Sequence, residues 1–262
     1  MTIRSTAARL AATAALCLTA GGASAATLEF SITNDSGADG LFLTPFLSVF
    51  HDGSYDAFDP GAAASAGVEA IAEEGDVSIE RAAAEAAGFT TAIAANPAGF
   101  PGAPVIDPGE TASFQIDLDP TSDRYVTFLS MLIPSNDNFL GNANPFAYEL
   151  FDASGAFTGI APITFLTSEV WDAGTEVNDG EGAAFSNGRP STDENGVITL
   201  QASLDFLLGL DRASGGLVGD VGGSNGVLAT ITVSEVAPIP LPAGGLLLLS
   251  ALGLAGAVRR RR

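Results

Sequence analysis

Leu28-Glu29-Phe30-Ser31-Ile32-Thr33 alternates apolar and polar side chains without a break. A period of two puts Leu28, Phe30 and Ile32 on one face of an extended strand and Glu29, Ser31 and Thr33 on the other, as in a half-buried antiparallel strand. The alternation returns twice. Phe114, Ile116 and Leu118 face away from Ser113, Gln115 and Asp117, and Val227, Ala229, Ile231 and Val233 alternate with Leu228, Thr230 and Thr232. Leu41–Phe50, Tyr125–Ile133, Pro162–Thr167 and Val197–Phe206 are further strand candidates, and Asp107-Pro108-Gly109 and Asn195-Gly196 are turn chemistry. Ser78–Ala87 is alanine-rich, carries Glu80, Arg81 and Glu85, and has Ser78 placed to cap it, which predicts a short helix; Ala62–Ala72 predicts another. No internal repeat and no regular strand–helix alternation is present. The expected fold class is all-β: an antiparallel sandwich of about eight strands with one or two short helices.

The two ends of the chain have a different character. Arg4 and Arg9, the apolar stretch Leu10–Ala20 and the small residues Ala23-Ser24-Ala25 predict a signal peptide over 1–25, cut before Ala26. Cys17, the single cysteine, falls inside it, so the mature chain is expected to hold no disulfide. Leu16 precedes Cys17 where a lipoprotein site would have a small residue. At the other end, Leu241–Val258 would span about 27 Å as a helix, and Arg259 to Arg262 would keep that end in the cytoplasm. This describes a C-terminal transmembrane helix. The order Ile239-Pro240-Leu241-Pro242-Ala243, apolar run, arginine stop also resembles the C-terminal sorting segments of the PEP-CTERM class, VPLPA type. That resemblance implies an exosortase-type processing enzyme in the inner membrane, and release to the cell surface or medium after C-terminal processing. The division is then signal peptide 1–25, one domain over 26–236 and a sorting and transmembrane segment over 237–262.

All 31 acidic residues lie between the two ends, against Arg81, Arg124, Arg189 and Arg212 and no lysine. Such a field repels nucleic acid and attracts cations. It would equally serve solubility in a salty medium, so the charge alone assigns no metal site.

Four segments carry a second resemblance, which spans about residues 26–236. Phe50-His51-Asp52-Gly53-Ser54-Tyr55-Asp56-Ala57-Phe58-Asp59 is the first and Val68-Glu69-Ala70-Ile71-Ala72-Glu73-Glu74-Gly75-Asp76 the second. Ser130-Met131-Leu132-Ile133-Pro134-Ser135-Asn136-Asp137 forms the third and Trp171-Asp172-Ala173-Gly174-Thr175-Glu176-Val177-Asn178 the fourth. The last two, about 35 residues apart, resemble the bacterial branch of the spondin N-terminal domain family. The resemblance implies a C2-like antiparallel β-sandwich of extracellular-matrix and adhesion proteins with a Ca2+ ion at one end. Carried over by motif, its metal ligands are Asp137, Asp172 and Glu176. Calcium takes six to eight hard oxygens, often from adjacent loops. Asp172 and Glu176 stand four apart in a glycine-containing turn, and Asp137 follows a strand that would end near the same place. The carbonyls of Ala173 or Asn136 would complete the shell, and three such carboxylates without a cation would repel one another or protonate. Read only as residue types, they are also ordinary solvent-facing turn formers. The chain departs from many bacterial relatives in lacking a histidine segment after the tryptophan motif; the glycine-rich Ser214–Gly226 follows instead, expected as a hairpin connection.

An enzyme is not expected. His51 is the single histidine, which excludes sites of two or three imidazoles. No G-x-S-x-G elbow, mature cysteine nucleophile or Schiff-base lysine is present, and Gly215, Gly216, Gly222 and Gly223 lack a phosphate-loop context. His51 is expected to hydrogen-bond the Asp52-Gly53 turn. The expected function is adhesion or matrix interaction at the cell surface, with a matrix polysaccharide or surface protein as partner. The alternative is a secreted hydrolase of matrix polysaccharide using an acidic dyad such as Glu73-Glu74 or Asp179 with Glu181.

Overall fold

A computed structural model describes residues 25–96, 104–183, 190–223 and 225–237. The apolar run of the signal peptide and the whole segment from Ile239 to the terminal arginines lie outside these residues. Among the described residues no helix is long and apolar enough to cross a membrane.

The first strands are β1 (Ala26–Asn34), β2 (Phe42–Leu43) and β3 (Phe46–His51). Helices α1 (Ala66–Glu74) and α2 (Ser78–Ala86) precede β4 (Thr90–Ala94), β5 (Thr111–Leu118), β6 (Tyr125–Ile133) and β7 (Asn138–Gly141). The chain continues through β8 (Ile163–Leu166), β9 (Trp171–Asp172), β10 (Thr199–Leu200) and β11 (Val227–Glu235). One sheet has the order β5-β1-β11-β8; the other has β10-β9-β7-β6-β3-β4, with β2 also paired to β6. The paired strands are antiparallel throughout.

β1 is central to the first sheet, and its alternation decides the layering. Leu28, Phe30 and Ile32 are fully buried. Phe30 stacks on Phe114 with ring centroids 5.1 Å apart and meets Phe50 of the facing sheet edge-on at 5.4 Å. On the other face, Glu29 pairs with Gln115, Ser31 with Ser113 and Thr33 with Thr111, through side-chain hydrogen bonds of 2.7, 2.9 and 2.8 Å. These cross-strand pairs leave that face to water.

The second sheet is covered on both sides. Phe46, Phe50, Val126, Phe128 and Leu140 face the first sheet, whereas Leu47, Val49, Leu129 and Phe139 pack with Val68, Ile71 and Ala72 of α1. A strand buried on both faces reads as an unbroken apolar run, which is why Leu41–Phe50 and Tyr125–Ile133 show no clean alternation.

The structure corrects several boundaries. Eleven strands, not about eight, are formed by the described residues, because short strands at 90–94, 138–141 and 171–172 carry too few residues for a period to show. Leu41–Phe50 divides at Thr44-Pro45. Val197–Phe206 is a strand only at Thr199–Leu200, then bends into a 3-10 turn at Asp205–Leu207, where the Ser203 hydroxyl accepts from the Asp205 N–H at 3.1 Å. The first helix starts at Ala66 because Ser65 caps it, accepting from the Val68 N–H at 3.2 Å. Ser78 is the first residue of α2 rather than its cap; the Asp76 carboxylate accepts its N–H at 2.8 Å. Among the described residues, only the head of the glycine-rich stretch is a hairpin, where Asp211 bridges to Leu217 and the Arg212 N–H donates to Gly216 O at 3.0 Å.

Candidate metal centre

Two turns from different parts of the chain meet at one end of the second sheet. The first leaves β6 through Pro134 and enters β7. Ser135 closes it: its hydroxyl donates to Leu132 O at 2.5 Å and accepts the Asn138 N–H at 3.0 Å. This brings Asp137, fully buried, to the head of β7. The second turn follows β9. The Asp172 Oδ1 accepts the Gly174 N–H at 2.7 Å, and Gly174 takes φ +68 with its carbonyl accepting from Gly196 at 2.7 Å. A β-carbon at Gly174 would stand 2.6 Å from both N and O of Val197, so the turn requires glycine. Trp171 holds β9 in place: its indole N–H donates to Gly141 O at 2.9 Å, and its ring meets Phe58 at 5.2 Å.

The turns are joined through Asp137. Its carbonyl accepts the Ala173 N–H at 3.1 Å, and its Oδ2 accepts the N–H groups of Thr175 and Glu176 at 3.1 and 3.0 Å. The amide of Asn136 adds a bond to Val177 O at 2.8 Å. Asp137 Oδ1, by contrast, is buried with no hydrogen-bond donor, and the Asp172 carboxyl lies within hydrogen-bond reach of the Asp137 carboxyl. Burial, reinforced by the charge of Asp172, pushes the Asp137 pKa up to about 7 against the pull of the two backbone N–H groups. The other orphaned oxygens of this region are amides: Oδ1 of Asn136, Asn138 and Asn178 are buried without a donor. Asn178 is tied to the pair by its Nδ2, which donates to Asp172 Oδ2 at 2.7 Å.

Of the three residues singled out in the sequence, Asp137 and Asp172 therefore come together. Glu176 joins them through its main chain. Its side chain is held by Ser191 and lies near Asp193, and burial with that neighbouring charge raises its pKa. It lines a cleft of about 370 Å³ with Glu69, Glu73, Asp193 and Asn195, where burial foremost, with the like charge of Glu176 among its neighbours, also raises Glu73. Among the described residues no group of three or more His, Cys, Asp and Glu side chains is gathered at a metal-holding spacing. The donors that do gather are two carboxylates and neutral amide oxygens, with one buried carboxylate oxygen lacking any proton donor. That set fits a hard divalent cation of the calcium type, which accepts carboxylate and amide oxygens together.

Asn138 and Asn178 were missed in the sequence. Asparagine after a turn is unremarkable by composition; Asn178 closes the quoted Trp171–Asn178 segment and Asn138 directly follows Asp137, and that placement was the signal. His51 bonds the Asp52-Gly53 turn as expected, and is fully buried. Its Nδ1 accepts the Gly53 N–H at 3.0 Å, so Nε2 bears the proton and meets Thr127 Oγ1 at 3.1 Å. Burial lowers its pKa to about 4, with Asp52 opposing.

The Spondin_N family model matches residues 41–204, which contain both turns. The curated proteins contain no match to this chain.

Proposed function

The chain belongs to the Spondin_N family, a family of extracellular and surface proteins, and on that premise we propose that it is an exported calcium-binding module of the cell surface or matrix. The observation that carries the reading is the fully buried Asp137, whose Oδ1 finds no donor beside a second carboxylate, Asp172. A carboxylate left in that state costs on the order of 1–3 kcal/mol or more, and a cation between the two removes the cost. Asp137 and Asp172 would hold the ion; Glu176 contributes the N–H that aims Asp137. A calcium ion there supplies charge balance and a cross-link between the 134–138 and 172–178 turns.

Stiffened turns at one end of a sandwich make a contact surface, and the acidic cleft beside them sets its polarity. Adhesion to a matrix polysaccharide or surface protein is the role this supports. The tail over 237–262 is read as a sorting and membrane segment processed by an exosortase-type enzyme in the inner membrane; mass spectrometry of the exported protein is expected to show a new C-terminus near Ile239–Ala243, and an intact arginine tail would refute it. For the ion, thermal unfolding with calcium, with magnesium and with chelator is the test. A rise in Tm specific to calcium supports the site, since a ligand bound only to the native state must stabilise it; identical curves in all three sink it.

One observation favours the alternative. Glu73 and Glu176 face one cleft, and burial raises both carboxyls, as the general acid of such a dyad requires; the second carboxyl would have to stay ionised. A matrix-polysaccharide hydrolase would lose its turnover in Glu73→Gln and Glu176→Gln; absence of turnover on a polysaccharide panel removes this reading.

A further inference from the structure

Buried polar groups without partners are rare in folded proteins, and several together ask for a missing partner. Among the described residues they concentrate around Asp172: the orphaned atoms include Asp137 Oδ1, both amide atoms of Asn138, and Oδ1 of Asn136 and Asn178. Asn138 is wholly buried and stands directly across the β7–β9 ladder from Asp172. Directly opposed residues of an antiparallel pair project from the same face with neighbouring β-carbons, which puts the Asn138 side chain on the face of the ladder that carries Asp172. It makes no hydrogen bond there at either end. Asn178 reaches the same carboxylate from the turn, its Nδ2 on Asp172 Oδ2 at 2.7 Å and its oxygen left over. Asn136 is different: its Nδ2 is fixed on Val177 O, which clamps the segment that carries Asn178.

We propose that the side-chain oxygens of Asn138 and Asn178 are ligands of the cation held by Asp137 and Asp172. This rests on the calcium reading above and adds to it two ligands outside the acidic triplet. Each amide rotates so that its oxygen faces the ion, which satisfies the orphaned oxygen and, for Asn178, exchanges a hydrogen bond to Asp172 for a shared cation. The shell then holds two negative charges, matched to a divalent ion, and several neutral oxygens. A crowded, oxygen-rich and irregular shell suits calcium, whereas magnesium is smaller, demands octahedral geometry and gives up water reluctantly.

The test is calorimetric titration of the purified full chain with calcium chloride, for the native protein and for Asn138→Leu, Asn178→Leu and Asn178→Asp, with Tm in chelator recorded for each. Leucine keeps the volume and removes the oxygen. Both leucine variants are expected to bind calcium about tenfold or more weakly, with chelator-state Tm unchanged or higher. Asn178→Asp, with an added charge on the ion, is expected to bind at least as tightly as the native protein. Leucine variants that titrate like the native protein overturn the proposal and leave Asp137 and Asp172 as the site. A native protein that takes up no calcium overturns the underlying reading instead. Should a leucine variant fail to fold, Asn138→Asp and Asn178→Asp decide: weaker binding in both overturns the assignment.

Discussion

Replacing Asp137 by asparagine should reverse its effect on stability according to whether calcium is present. In chelator at pH 8 the native carboxylate is ionised, fully buried, and faces Asp172 with one oxygen lacking a donor. Moving a carboxyl from its usual pKa near 4 to about 7 corresponds to about 4 kcal/mol against the charged form. That figure already contains the pull of the Thr175 and Glu176 N–H groups toward the charged form. The variant is therefore expected to gain up to about 4 kcal/mol in chelator, a rise of up to about 8–16 °C in Tm for a domain of this size. With calcium at about ten-thousandfold its Kd, the native protein gains about 5.5 kcal/mol and the variant gains little, so the order inverts. Differential scanning calorimetry of both proteins, with calcium and with chelator, reads this directly. A variant less stable than the native protein in chelator would refute the idea that Asp137 is a charge awaiting a cation. A variant that keeps the calcium response would refute its role as ligand.

Other outcomes follow from the same geometry. Asp172→Asn should abolish calcium uptake in a calorimetric titration, whereas Glu176→Gln should keep most of it, since Glu176 acts on the site through its main chain. Gly174→Ala should cost more than about 2 kcal/mol in chemical denaturation, from the left-handed φ and the contact with Val197. His51 supplies a pH effect: its folded pKa of about 4 lies below the unfolded 6.5, so the folded state binds fewer protons between those values. Stability is complete above pH 6.5 and falls by up to about 3 kcal/mol as pH drops toward 4; His51→Gln should flatten that part of the Tm–pH profile, and an unchanged slope would contradict the assignment. Phe30→Ala should cost about 3–5 kcal/mol by equilibrium unfolding, because the cavity opens between Phe50, Phe114 and Phe128 where the two sheets meet.

Sequence alone determined whatever depends on neighbours along the chain. The alternation at Leu28–Thr33 specified a half-buried strand, Asp107-Pro108-Gly109 specified a turn, and the single histidine and absent lysine excluded whole classes of chemistry. The wording around Asp137 and Asp172 singled out, through resemblance, two turns that the fold joins at Asp137. What folding in three dimensions decided was anything set by partners distant in sequence. Strands as short as Trp171–Asp172 exist because β7 and β10 bond them on either side, and no period can announce two residues. Which way Glu176 turns depended on Ser191 and Asp193, and the worth of Asn138 depended on Asp172 lying across the ladder from it. An asparagine reads the same in a sequence whether water satisfies it or nothing does; only burial, a property of the whole packed chain, separates the two.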